Sequence, residues 1–216
     1  MMNKYPKTTF YILLFIFIYT LGGIGFLFPL LRPVLTQFTP FILLLTFIFV
    51  LSFHKNWEKK HIFIFILSYL ICLLVEMIGV NTGQIFGSYQ YGSGLGLKVL
   101  GTPLIIGINW VMLSYCSITV VHRWFKNSIV QILSSSLILL GYDLIMETVA
   151  PTMDMWQFQN LHVPIQNYVV WFLLALVINS FMILFKVTGN YKICQAILII
   201  QILFFGIISL FTNVIL

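Results

Sequence analysis

Seven long apolar runs constrain this chain more than any motif does. They lie near 9–28, 38–53, 62–80, 103–121, 129–147, 167–186 and 193–214. Each is close to the ~20 residues that an α-helix needs to cross a hydrocarbon layer, the second being the shortest. Backbone polar groups in hydrocarbon must be satisfied within their own segment, so the runs read as helices. Composition removes the soluble alternative: 216 residues that are 61% hydrophobic and 7% charged cannot cover a water-facing surface. An outer-membrane barrel is excluded as well, because its strands alternate apolar with polar residues. The expectation is an all-α, polytopic integral membrane bundle of about seven transmembrane helices, a single domain over 1–216. The first run follows Lys4 and Lys7 in the manner of a signal peptide. It is long, however, and ends in Gly22, Gly23, Gly25 and Pro29 without a small-residue cleavage site, so it reads as an anchor. Pro29, Pro33 and Pro40 are expected to mark the first turn, Pro103 to open the fourth helix, and Pro151 and Pro164 to bracket a long connection.

Seven crossings divide the loops into two sets, and the basic residues are unevenly shared between them. Lys4, Lys7, Lys55, Lys59, Lys60, Arg123, Lys126, Lys186 and Lys192 fall on one side, and only Arg32 and Lys98 on the other. The positive-inside rule then puts the N-terminus in the cytoplasm and the C-terminus outside, as in a bacterial cytoplasmic (inner) membrane. The net charge of +6 does not indicate nucleic acid, because it resides in these loops. The bilayer is the expected surrounding. Cys72, Cys116 and Cys194 lie in or beside apolar runs and read as small packing residues rather than a disulfide framework.

Within this frame the acidic residues stand out. Asp143 and Glu147 are four apart near the end of the fifth run, one helical turn from each other on one face. Two carboxylates so close, away from water, repel when both are ionised, so the pair is expected to retain at least one proton and to titrate jointly. The topology brings Glu76, at the outer end of the third run, to the same leaflet. Asn109 and Trp110 of the fourth run, and Asn167 and Trp171 of the sixth, reach similar depth. Glu58 and Asp154 fall in loops. An intramembrane acid marks a functional site by default; the competing role is a hydrogen bond that joins helices, or an ion pair with Lys98 or Arg32.

The two outer connections are distinctive. The first, 79–96, is rich in glycine, which permits sharp turns, and carries Phe86, Tyr89 and Tyr91. It reads equally as a flexible cap or as a lining for the site. The second, 152–164, carries Trp156 and Phe158, which fit an interfacial aromatic belt.

Several chemistries are disfavoured. His54, His61, His122 and His162 are not spaced as metal ligands, so an iron oxygenase built on clustered histidines is not expected. No aspartate-rich pair is present to hold magnesium against a diphosphate. No Ser–His–acid set or reactive cysteine points to acyl transfer. What is left is an acid site without metal or cofactor, open to apolar molecules and suited to protonating an isoprenoid double bond.

Two blocks of residues carry a resemblance. Glu76-Met-Ile-Gly79, Thr82-Gly83, Phe86-Gly-Ser-Tyr89-Gln-Tyr91, Leu95-Gly96 and Gly101-Thr-Pro103 with Trp110 form the first. Asp143, Glu147, Trp156, Val163-Pro164, Asn167 and Trp171 form the second. Over about 60–175 the chain resembles the carotenoid biosynthesis family that includes hydratases of the CruF type. It departs from the family pattern at Thr148, where proline is expected, and at His162, where glycine is expected. The resemblance implies addition of water to the terminal double bond of an acyclic carotenoid end, giving a tertiary alcohol. The candidate catalytic residues are Glu76, Asp143 and Glu147. The candidate substrate-binding residues are Thr82, Phe86, Tyr89, Tyr91, Asn109, Trp110, Trp156, Asn167 and Trp171.

The expected mechanism starts with a proton from Asp143 or Glu147 to the less substituted carbon of the terminal isopropylidene group. Glu76 then stabilises the tertiary cation and takes a proton from the attacking water. Trp110 or Trp171 offers a ring face to the cation. The expected partners are an apolar carotenoid, water, and other carotenoid enzymes. A cyclase, in which a neighbouring double bond captures the cation, shares the protonation step. A non-enzymatic carrier or scaffold for an isoprenoid is the reading outside enzymology.

Overall fold

The structure is a computed structural model that describes residues 5–215. Among these, seven α-helices follow one another: α1 (Tyr5–Leu27), α2 (Arg32–Ser52), α3 (Lys59–Thr82), α4 (Leu104–His122), α5 (Ser128–Val149), α6 (Ile165–Leu184) and α7 (Tyr191–Ile215). Each is long and apolar enough to cross a membrane. The all-helical expectation holds, and the protein is an integral membrane protein. Lys4, one of the residues behind the charge bias, lies outside the described residues.

The helix starts follow local chemistry. Asn127 caps α5 by accepting hydrogen bonds from the backbone N–H of Ile129 (2.9 Å) and Val130 (3.2 Å). Pro103 and Pro164 precede α4 and α6, where a missing N–H costs nothing. The second helix differs from expectation: it begins at Arg32 rather than near 38. Pro33 fits its first turn, and Pro40 lies inside it rather than in the turn before it. A proline there removes one helical hydrogen bond, a loss that membrane helices tolerate where neighbouring groups compensate.

The helix at the centre is α4. Of its apolar stretch 83% is buried, against 28% for α1 and for α2. It touches α2, α3, α5, α6 and α7. Small residues on α4, among them Ser114 and Ser117, are fully buried and let its neighbours approach closely. Polar side chains also join helices. The Tyr19 hydroxyl meets Thr46 at 3.0 Å and accepts from Gln201 Nε2 at 3.1 Å, tying α1 to α2 and α7.

At one end of the bundle the two long connections pair with each other. Strand β1 (Tyr89–Tyr91) runs antiparallel to β4 (Trp156–Phe158), with Tyr89 opposite Phe158 and Tyr91 opposite Trp156. Between them in sequence, β2 (Lys98–Val99) pairs with β3 (Thr102–Pro103). Asp154 fixes the junction by accepting from Ser93 N (2.8 Å) and Ser93 Oγ (2.5 Å). Gly94 donates its N–H to Asp154 O at 2.7 Å, and a Cβ on Gly94 would collide with the Met153 carbonyl, so glycine is what lets the two loops meet. Trp156 and Phe158 therefore do not lie in an interfacial belt. Strand pairing turns both inward, leaving them 7% and 6% exposed. The two basic residues of this end are engaged with backbone rather than with the intramembrane acids: Arg32 Nε donates to Phe26 O (2.8 Å) and Lys98 Nζ to Tyr91 O (2.6 Å).

Candidate active site

Helix α3 buries Cys72, Leu73, Glu76 and Gly79 and leaves Leu74 and Ile78 exposed. Helix α5 buries Leu139, Tyr142, Asp143, Met146 and Glu147 and leaves Leu137 and Leu144 exposed. The 3.6-residue period thus aims all three acids at the interior. They meet beneath the β1–β4 pair.

Glu76 is 3% exposed and accepts on both oxygens. The hydroxyls of Tyr89 and Tyr91 donate to Oε2, each at 2.7 Å, and Trp110 Nε1 donates to Oε1 at 3.2 Å. The strand period of two sends Tyr89 and Tyr91 to the same face of β1, which explains why both reach one carboxyl oxygen. Burial, reinforced by the neighbouring Glu76, pushes both phenols well above their usual range, so they remain proton-bearing donors.

Glu147 accepts from Trp156 Nε1 at 2.9 Å on Oε2 and from Asn167 Nδ2 at 3.0 Å on Oε1. The same Asn167 nitrogen donates to Asp143 Oδ2 at 3.1 Å. One amide, from the first turn of α6, therefore bridges both carboxyl groups of α5. Asp143 is fully buried, and its Oδ1 makes no hydrogen bond among the described residues. The same holds for Asn109 Oδ1.

Glu76 and Glu147 face a common cavity of about 10 Å³, on the scale of a single water molecule. Phe86, Tyr89, Tyr91, Ile106, Trp156, Phe158, Asn167 and Trp171 complete its lining. The Trp171 ring is stacked on Trp110 with centroids 4.0 Å apart. Most of the residues singled out in the sequence thus come together. Trp110 joins through Glu76, and Asp143 through Asn167. Asn109 lies one layer away, on an adjoining cavity with Tyr142, Met146 and Trp156. Thr82 does not join: it is exposed and donates to Ile78 O at 2.6 Å.

Phe158 and Ile106 line the cavity although the sequence reading did not assign them to it. For Phe158 a signal was present. Tyr89-Gln-Tyr91 and Trp156-Gln-Phe158 both alternate aromatic with glutamine, the period of a strand. At the opposite end of the bundle, the structure also joins two histidines that spacing alone left apart. His54 Nε2 lies 3.0 Å from His61 Nδ1, and His54 Nδ1 lies 2.7 Å from the Tyr115 hydroxyl. Burial, and then the His61 ring, lower His54 below the usual imidazole range.

Gly79 sets how closely the aromatic connection packs on Glu76. A Cβ there would sit 2.5 Å from the Phe86 ring and 3.5 Å from the Tyr89 hydroxyl. Phe86 is 1% exposed and has little room to retreat. Gly79→Ala is expected to cost about 1–3 kcal/mol through overpacking, read as a lowered unfolding temperature of the protein in detergent. An unchanged unfolding temperature would show that the connection yields freely.

Two carboxyl groups from different helices, facing one small cavity beneath aromatic rings, can donate a proton on one side and accept one on the other. No curated protein and no solved structure matches the chain. A family model described as "Carotenoid biosynthesis protein" matches residues 37–216. That span includes every side chain of the cluster, and with it the chain belongs to the carotenoid biosynthesis protein family.

Proposed function

We propose that this protein is a carotenoid hydratase, adding water to the terminal carbon–carbon double bond of an acyclic end group. The observation that carries the reading is the shared cavity, with Glu147 on one wall and Glu76 on another. The Asp143–Glu147 pair retains at least one proton, because the two buried carboxyls lie one helical turn apart around a single Asn167 amide and cannot both ionise cheaply. Glu147 faces the cavity and is the donor; Asp143 lies behind it.

Glu147 gives its proton to the less substituted carbon of the isopropylidene group, and the π electrons form the new C–H bond. The cation forms on the tertiary carbon, with Trp171 beside it. Water attacks that carbon and loses a proton to Glu76, which is oriented by Tyr89, Tyr91 and Trp110. Proton return from Glu76 to Glu147 across the cavity resets the site. The net change is alkene plus water to tertiary alcohol. Five polar side chains line the cavity and suit a water, which favours capture by water over the ring closure of a cyclase. The bias of basic loops orients the N-terminus to the cytoplasm of a bacterial inner membrane and the C-terminus outward. The site then opens near the outer interface, where water is at hand.

The test is turnover of an acyclic carotenoid by the purified protein in water enriched in heavy oxygen. One labelled hydroxyl per reacted end is expected. A product of unchanged mass and without label would replace hydration with cyclisation.

A further inference from the structure

A second cavity, much larger than the acid site, lies between α1, α2 and α7. It has a volume of about 340 Å³, and its mouth is flanked by Leu21 and Phe38, which are 53% and 56% exposed. Among the described residues only two of its lining side chains are polar, and both are already engaged. Tyr19 bonds to Thr46 and Gln201, and Thr39 lies 3.5 Å from Leu35 O. The cleft offers an occupant hydrocarbon contact and little else.

Its walls continue toward the carboxyl groups. Leu43 and Phe205 line the cleft and also the small cavity that borders Asn109. That cavity shares Ile106 and Trp156 with the acid site. Two layers of side chain therefore separate the cleft from Glu147. Met146 and Met155 flank the space between those layers, and methionine is the apolar side chain that repacks most readily.

We propose that the cleft between α1, α2 and α7 holds the hydrocarbon chain of the isoprenoid substrate, whose end passes between Leu43 and Phe205 to reach Glu147. This assignment rests on the reading of the acid site as a carotenoid-transforming centre. A lipid tail would fill the cleft equally well on shape. The shared walls leading to the carboxyls favour the substrate.

Gly22 lies in the cleft wall, where a Cβ would meet the Phe204 ring at an ordinary 3.5 Å, so a large side chain there fills the cleft. Gly141 on α5 has nothing within 4 Å of its Cβ direction and serves as the control. The experiment measures binding of an acyclic carotenoid to purified protein in nanodiscs, read by the circular dichroism induced in the polyene. Glu147→Gln is the background, so that no turnover intervenes. Gly22→Phe is expected to weaken binding by at least about tenfold and Gly141→Phe to leave it unchanged. Equal binding by Gly22→Phe and the parent, equal weakening by both phenylalanines, or no saturable binding by the parent would overturn the assignment. If Gly22→Phe fails to fold, Ile42→Trp on another wall carries the same expectation, and unchanged binding there overturns it. A protein with Glu147 intact that binds carotenoid through this cleft yet forms no alcohol would refute the hydration reading while supporting the cleft.

Discussion

Replacing Glu147 with glutamine is expected to lower alcohol formation by about a thousandfold or more, the upper range for loss of a general acid. The substitution keeps the shape of the side chain and removes the transferable proton. Its structural cost is small. Trp156 Nε1 and Asn167 Nδ2 donate to different oxygens of Glu147, and glutamine keeps an oxygen at only one of those two places. A buried donor left without its acceptor costs about 1–3 kcal/mol, too little to unfold the bundle. The variant is therefore expected to purify as a folded protein and to show no exchange of solvent deuterium into the substrate. Turnover retained in a folded Glu147→Gln protein would remove Glu147 from the proton-donor role and leave Asp143 as the candidate.

Glu76→Gln is expected to separate the two halves of the reaction. Alcohol formation should fall by about a hundredfold, because the attacking water loses its base and the cation its counter-charge. Protonation by Glu147 remains possible, however, and the cation can return that proton. In heavy water the recovered substrate should therefore acquire deuterium on the terminal double bond, with little alcohol. The folded state accommodates the change well: the new amide N–H can donate to Tyr89 or Tyr91, whose hydroxyls rotate to accept. Loss of deuterium exchange in step with loss of alcohol would assign Glu76 to the protonation step instead.

Much of this site was legible in the sequence. The seven runs fix the crossings, and alternation of loops brings Glu76, Asp143 and Glu147 to one end without knowledge of the packing. The four-residue spacing puts Asp143 and Glu147 on one face, and the structure keeps them there, joined through Asn167. What could not be read was the pairing of β1 with β4. Tyr91 and Trp156 face each other across a long stretch of chain, and nothing local to either segment records the partner. Without that pairing, Trp156 reads as an interfacial aromatic; with it, its indole is a hydrogen-bond donor to Glu147. The start of α2 escaped for a different reason. Prolines signal turns in water-exposed chains, but Pro33 suits a first helical turn and Pro40 is carried within a membrane helix. Thr82 lies in the first block of resembling residues, yet its hydroxyl donates to its own helix rather than facing the acids.

The side chains of the cluster are held together by the central helix. Trp110 links the two halves of the cluster, donating to Glu76 while stacking on Trp171 of α6. Because α4 is the buried central helix, that link is held on all sides. A site of this kind gains precision from rigid helices and places only its aromatic cover on loops.

The most direct test of hydration is the mass of the pigment formed when this chain is expressed in a host that accumulates acyclic carotenoids. A pigment heavier by one water for each reacted end is expected, absent when the host carries Glu147→Gln. A pigment of unchanged mass, whether with altered retention or with none, would contradict hydration as the reaction of this site.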